Sequence, residues 1–82
     1  MTQPPARRPL IPYVRERMAE RQIPEAAIDW VLEHYDLQYP AEPRRGAKPA
    51  VIRQGTYRGR ILKVYVERDT VPLFVKTVTW GD

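Results

Sequence analysis

The sequence has 82 residues, enough for one small domain but too few for a large enclosed substrate cavity. It contains no cysteine, serine or asparagine, and His34 is its only histidine. These absences exclude disulfide bonds, thiolate metal sites, and Ser or Cys nucleophiles. A single imidazole cannot build a metal site alone, so we expect no metal and no other cofactor. The formal net charge is +4 at pH 7.

The first nine residues form a Pro/Arg-rich segment. We expect residues 1–9 to be a disordered tail and residues 10–82 to form a single domain. The tail has no apolar run of the kind found in signal peptides, and no segment reaches the ~18 apolar residues of a membrane span. Together with the lack of cysteines, this favours a cytoplasmic protein that does not contact a membrane.

Two helices are predicted next along the chain. Pro12 suits a first helical turn, which predicts a helix over residues 12–21. Pro24 ends that helix and starts a second one, over about residues 24–35. The predicted core face of the second helix recurs at helical spacing: Ala27, Ile28, Val31, Leu32 and Tyr35.

Three strands complete the predicted fold. The segment 39–49 is rich in proline and is interpreted as a loop, and the strands cover residues 50–57, 60–68 and 73–80. Gly55 is expected to form a bulge, and Arg58-Gly59 a tight hairpin turn. Short connections make the sheet an antiparallel meander. The predicted class is therefore α+β, with two N-terminal helices packed on one face of a three-stranded sheet (ααβββ).

The positive charge is concentrated in the second half of the chain. Residues 41–82 carry nine basic and four acidic side chains, a net charge of +5. Alternation in the middle strand predicts that Lys63 and Tyr65 point away from the helices, and the spacing allows Arg53 and Tyr57 to share that face. Cations beside aromatic rings on an open sheet are typical of proteins that bind RNA or single-stranded nucleic acid. A solvated polar face and a protein-binding face explain the same pattern.

Trp30 and His34 form an i, i+4 pair on the second helix. We expect Trp30 to fold onto the edge of the core, and His34 to be an ordinary residue near a helix C-terminus. The alternatives are a partner surface at Trp30 and a general base at His34.

Two motifs resemble those of a known family: Tyr13-Val14-x-x-Arg17-Met18-x-x-Arg21-x-Ile23, and Arg58-Gly59-Arg60-x-Leu62-x-Val64. They resemble the bacterial family catalogued as DUF4258, a domain of unknown function, over residues 10–80. The resemblance implies the same ααβββ arrangement, which looks like a trimmed version of the RelE/ParE-type toxin fold. Some of those toxins cleave ribosome-bound mRNA without metal, using arginine, lysine and tyrosine on the sheet. This likeness implies that the corresponding site residues in this chain are Arg53, Arg60, Lys63 and Tyr65.

Two functional hypotheses follow. The first is an RNA-associated protein, at its boldest a metal-independent ribonuclease related to toxins, with its site at Arg53, Arg60, Lys63, Tyr65 and Tyr57. The second is a non-catalytic module that binds a protein or a second copy of itself through the free sheet face or an edge strand.

Overall fold

The computed structural model describes residues 10–81, so the predicted tail over residues 1–9 lies outside the described residues. Two helices come first, α1 (Pro12–Arg21) and α2 (Glu25–His34). Four strands follow: β1 (Leu37–Pro40), β2 (Ala50–Tyr57), β3 (Arg60–Glu67) and β4 (Val75–Trp80). They form one antiparallel sheet in the order β1-β2-β3-β4. The α+β class is confirmed, but the prediction of three strands is wrong because the sheet has four.

Prolines and one left-handed residue set the helix boundaries. Pro12 is the first residue of α1, where its missing N–H costs no hydrogen bond. α1 stops at Gln22, whose backbone is left-handed at φ 54°, and the N–H of Ile23 donates to the carbonyl of Met18 at 2.9 Å. Pro24 is extended and starts α2 immediately. The predicted bounds of the first helix are confirmed.

Strand β1 is the element that the sequence analysis missed. Its four residues pair with β2, from Leu37 opposite Gln54 to Pro40 opposite Val51. So short a strand, ending in proline, shows too little alternation to stand out from the proline-rich loop after it. The interpretation of the whole segment from Tyr39 as a loop is therefore wrong at its first two residues.

Gly55 does not form the expected bulge, because β2 pairs with β3 in unbroken register through this residue. The glycine instead makes room for the end of α2. A Cβ placed here would lie 3.3 Å from the carbonyl oxygen of His34 and 3.3 Å from the Cα of Tyr35. The irregularity of the sheet lies elsewhere, between Tyr65 and Val66, where the register of β3 with β4 shifts.

The turn between β2 and β3 is the predicted two-residue hairpin. Arg58 and Gly59 both have positive φ, at 50° and 81°. Two central residues of positive φ are typical of the type I′ turn, whose twist matches that of the strands it joins.

Both helices pack on one side of the sheet, which we call the helix-covered face. On this face Leu62, Val64 and Val66 of β3 are each 0% exposed. Buried residues of the helices and β4 complete the cluster: Leu10, Val14, Ile23, Ala27, Ile28, Val31, Leu32, Val75 and Val78. The core face predicted for the second helix is confirmed at residues 27, 28, 31 and 32, but it is wrong at Tyr35, which is 40% exposed.

Each edge of the sheet offers little to an additional strand. Beside β4, the indole Nε1 of Trp80 donates to the carbonyl of Arg21 at 2.7 Å, and the Arg21 guanidinium donates back to a carbonyl of β4. Just after β1, the N–H of Ala41 donates to the carbonyl of Ala50, so Ala41 directs its backbone groups toward β2. Alternate residues of an antiparallel strand direct their backbone groups the same way, so Leu37 and Tyr39 also face β2. Within β1, only Gln38 and Pro40 therefore direct backbone groups outward, and Pro40 has no N–H.

Candidate nucleic-acid-binding face

The sheet face opposite the helices, which we call the open face, carries the β3 residues that alternate with the core positions. These residues are Ile61, Lys63, Tyr65 and Glu67, and all four are half-buried. The prediction that Lys63 and Tyr65 point away from the apolar stripe is confirmed.

Arg53 lies on the helix-covered face, because it is directly paired with Val64 and paired residues share a face. Its Nη1 donates to the carbonyl of Leu32 at 2.9 Å, and its Nε donates to Oε1 of Gln38 at 2.8 Å. Its guanidinium also lies 4.7 Å from the ring centroid of Tyr35. The prediction that Arg53 belongs to the open face is wrong, and its contacts hold the end of α2 to the sheet.

Tyr57 and Arg60 pair with each other on the same side of the sheet as the core. Tyr57 packs against the buried cluster, and the Arg60 guanidinium lies 4.0 Å from the ring centroid of Trp80. The prediction that Tyr57 shares the open face is also wrong, because no bulge at Gly55 changes the alternation of β2. Of the five candidate residues, the structure brings only the β3 pair, 63 and 65, together on the open face.

One row of residues crosses the open face from β1 to β4: Tyr39, Ile52, Tyr65 and Thr77, each directly paired with the next. Ile52 is only 7% exposed, although it lies opposite the helices, so its neighbours cover it. The hydroxyl of Tyr39 donates to Oε1 of Gln54 at 2.6 Å, which directs its ring along the sheet surface. The row therefore has an apolar floor at Ile52, with a tyrosine on each side of it.

An open groove of about 920 Å³ lies along this row and continues past β4 to Tyr13 and Arg21 of α1. Among the described lining residues, five are cationic and one, Glu42, is acidic. Four of the cations lie around the ends of β2, β3 and β4, and we call them the cationic rim: Arg44, Lys48, Arg68 and Lys76. The groove thus places positive charge beside aromatic rings.

The loop between β1 and β2 contributes half of the cationic rim, and the sheet holds it in place. The Nζ of Lys76 donates to the carbonyl of Lys48 at 3.3 Å. The backbone N–H of Arg68 donates to the carbonyl of Pro49 at 3.1 Å. These contacts anchor the end of the loop to β3 and β4, so the rim charges of loop and strands lie along one side of the groove.

Sequence reasoning missed Tyr39 because β1 was not recognised, and it missed Ile52 because it left the face of β2 unsettled. The cationic rim was counted in the net charge but not assigned to a site. Its signal in the sequence is position: every rim residue lies in a connection or within three residues of a predicted strand end at the same edge of the meander.

Trp30 and His34 lie on the outer flank of α2. Trp30 is 47% exposed, so the expectation that it folds onto the core edge is wrong. The two rings stack with centroids 3.9 Å apart, and Nδ1 of His34 lies 3.2 Å from the carbonyl oxygen of Trp30. This pair is on the opposite side of the molecule from the groove.

Two other kinds of site can be assessed within residues 10–81. In that part of the chain, no three histidine, aspartate or glutamate side chains come together as a metal site would require. Neither described helix is long and apolar enough to cross a membrane.

Two helices on one face of a four-stranded antiparallel sheet, with a basic groove on the other face, define a small α+β protein. A family model described as Domain of unknown function (DUF4258) matches residues 14–80, and the chain belongs to this family. No curated protein and no solved structure matches it significantly. The family resemblance is confirmed, whereas the likeness to RelE/ParE-type toxins has no support from a solved structure.

Proposed function

We propose that this protein binds RNA through the open face of its sheet. The observation that supports this most directly is the groove, in which five cationic residues outnumber one acidic residue beside the tyrosines of the open-face row. Cations neutralise phosphates, and aromatic faces accept unpaired bases. The two requirements for RNA binding occur on the same surface.

The distribution of charge along the chain supports the same proposal. The helical half, residues 10–40, carries three basic and six acidic side chains, whereas residues 41–82 carry nine and four. An RNA strand approaching the open face meets the cationic rim, while five of the six acidic side chains of residues 10–40 lie on the two helices on the other face. This polarity orients a polyanion before contact.

The proposal covers binding and leaves out cleavage. A toxin-type ribonuclease site was predicted from four sheet residues, and two of them, Arg53 and Arg60, lie on the helix-covered face. The pair that remains, Lys63 and Tyr65, supplies a cation and a ring, which suffice for binding. An incubation of RNA with the protein should therefore leave the RNA intact on a denaturing gel.

Filter binding of labelled single-stranded RNA of mixed sequence, titrated against salt, tests the proposal. If the cationic rim neutralises three phosphates, the plot of log K against log salt should have a slope of about −2. Arg58→Glu, in the exposed hairpin turn, is the charge-matched control for Lys48→Glu in the rim. Only the rim variant should lose most of its affinity. Absence of retention at tens of micromolar protein and low salt would contradict the proposal.

The second candidate function is a protein-binding or dimerisation module. The exposed Trp30–His34 stack is the feature that favours it, since exposed tryptophans are enriched at interfaces. The few outward N–H groups of β1 and the contacts between Arg21 and Trp80 argue against the version in which an edge strand pairs with a partner. Light scattering during size exclusion tests self-association, and Trp30→Ala should abolish a dimer formed through this stack.

A further inference from the structure

We propose that the groove holds a single strand of about three nucleotides running across the β-strands, with two unstacked bases on Tyr39 and Tyr65 and the phosphates along the cationic rim. This inference rests on the proposed function and specifies its ligand. It concerns the conformation of the RNA, its length and its orientation on the sheet.

The spacing of the two tyrosines determines the conformation of the RNA. Tyr39 of β1 and Tyr65 of β3 are both directly paired with Ile52 of β2, which lies between those two strands. With adjacent strands ~4.8 Å apart, the two tyrosine Cα atoms are about 10 Å apart. Stacked nucleotides follow each other at about 3.4 Å, so two neighbouring bases of a duplex cannot reach both rings. A strand that uses both rings must have its bases splayed apart, which requires unpaired RNA.

The floor between the rings suits bases that lie flat on the sheet. Ile52 is covered by its neighbours to 7% exposure, and the hydrogen bond from Tyr39 to Gln54 directs that ring along the surface. A ring that lies along the sheet, as that of Tyr39 does, presents its face outward, where a base can stack on it. The length of the row, three strand spacings or about 14 Å, fits about three nucleotides.

The cationic rim determines the side on which the phosphates lie. The rim residues occupy one end of the strands, next to the open-face row, and contacts from Lys76 and Arg68 secure the loop there. The salt bridge between Arg68 and Asp69, with side chains 61% and 83% exposed, competes weakly with a phosphate. Phosphates along the rim leave the bases directed toward the tyrosines, so the strand runs from β1 toward β4 or the reverse.

The same geometry favours an anionic polymer that carries flat rings over an acidic peptide. Both would neutralise the rim, but only nucleic acid has flat rings that gain from stacking on Tyr39 and Tyr65. Polyglutamate is therefore the probe that separates the two classes, because it can use the cations without using the rings.

The first experiment is a length series. Unlabelled uridine oligomers of one to eight nucleotides compete with a labelled single-stranded RNA for the full chain. Affinity should rise steeply up to a length of about three nucleotides, and each further nucleotide should raise the affinity by no more than about twofold. An affinity that climbs by a constant large factor through eight nucleotides would overturn the proposed site length. A duplex RNA that competes as well as the single strand would overturn the splayed-base geometry.

The second experiment tests the rings. Tyr39→Ala and Tyr65→Ala should each weaken single-stranded binding by about five- to a hundredfold, whereas Tyr65→Phe, which keeps the ring, should retain most of it. Tyr35→Ala is the matched control, because that tyrosine is 40% exposed but stacks on Arg53 at the end of α2, on the helix-covered side. Circular dichroism of each variant shows whether the fold persists.

The outcomes separate this inference from the proposed function. If the wild-type chain binds no RNA, both fail. If it binds RNA but the two alanine variants bind as well as the wild type, the stacking geometry is wrong while RNA binding stands. Polyglutamate that competes as well as RNA of equal charge would show that the groove recognises acidic chains in general, which also overturns the inference.

Discussion

The two faces of the sheet are built from alternate residues of the same strands, yet their charged side chains make different contacts. On the helix-covered face, the guanidinium of Arg53 reaches a helix carbonyl, a glutamine and a tyrosine ring. That of Arg60 covers the ring of Trp80. On the open face and its rim, lysine and arginine side chains border an open groove of about 920 Å³.

The difference teaches that a count of basic residues does not locate a binding site. Residues 41–82 supply the positive charge of both faces, and one step along a strand moves a side chain from one face to the other. Arg53 is held by several protein groups at once and stabilises the fold, whereas the rim cations Lys76 and Arg68 each make one exposed contact that a phosphate can replace. The following substitutions test this division, from the largest expected effect to the smallest.

The helix-covered face should depend most on its buried centre. Leu62 is 0% exposed, so Leu62→Ala should lower the free energy of unfolding by about 2–5 kcal/mol, from lost burial plus a cavity. Leu37→Ala makes the same chemical change at a residue that is 54% exposed on the open face, and it should cost about 0.5 kcal/mol or less. Urea denaturation of both variants measures the contrast, and equal costs would show that the faces are assigned wrongly.

The contact of α2 with β2 should depend on the lack of a side chain at Gly55. Gly55→Ala should destabilise the protein by about 1–3 kcal/mol, because the new Cβ would crowd the backbone at His34 and Tyr35. Thr56→Ala, at an exposed neighbour on the other face, is the control in the same thermal denaturation. A stabilised Gly55→Ala would mean that the end of α2 moves away at little cost.

Arg53 and Lys48 should respond in opposite ways to the loss of charge. Arg53→Met should lower stability by about 1–2 kcal/mol through its lost hydrogen bonds, with little effect on RNA affinity. Lys48→Met should leave stability within about 0.5 kcal/mol and reduce RNA affinity, since Lys48 is exposed at the rim. Denaturation and filter binding on the same two preparations test whether each variant loses one property and keeps the other. If Arg53→Met weakens binding as much as Lys48→Met does at full stability, the structural role of Arg53 is refuted.

Lys63 should have the smallest effect of the four. It lies on the open face one row from Tyr65, opposite Thr79, which lines the groove. Because the phosphates are placed along the rim, Lys63→Gln should reduce RNA affinity by no more than about twofold and leave the salt slope unchanged. Arg58→Gln is the charge-matched control in the hairpin turn. A slope made shallower by about 0.7, the value for one phosphate on a single strand, would place a phosphate at Lys63 and contradict the path along the rim.

Local chemistry in the sequence determined most of the elements. Prolines indicated both helix starts, and local residue types predicted the Arg58-Gly59 turn and the alternation of β3. Helical periodicity predicted the buried residues of α2 except at Tyr35, which is 40% exposed. These features depend on residues that are neighbours along the chain, so one sequence suffices to recognise them. The same alternation placed Lys63 and Tyr65 on the open face.

Contacts between distant residues decided the rest. Only pairing with β2 makes a strand of residues 37–40, and only the end of α2 above Gly55 explains why β2 needs a glycine without a bulge. That uninterrupted register directs Arg53 toward the helices and leaves Ile52 between two tyrosines on the open face. The site therefore lay beyond sequence reasoning for a physical reason: each strand's pattern sets its own alternation, but which of its faces the helices cover is decided when the chain folds.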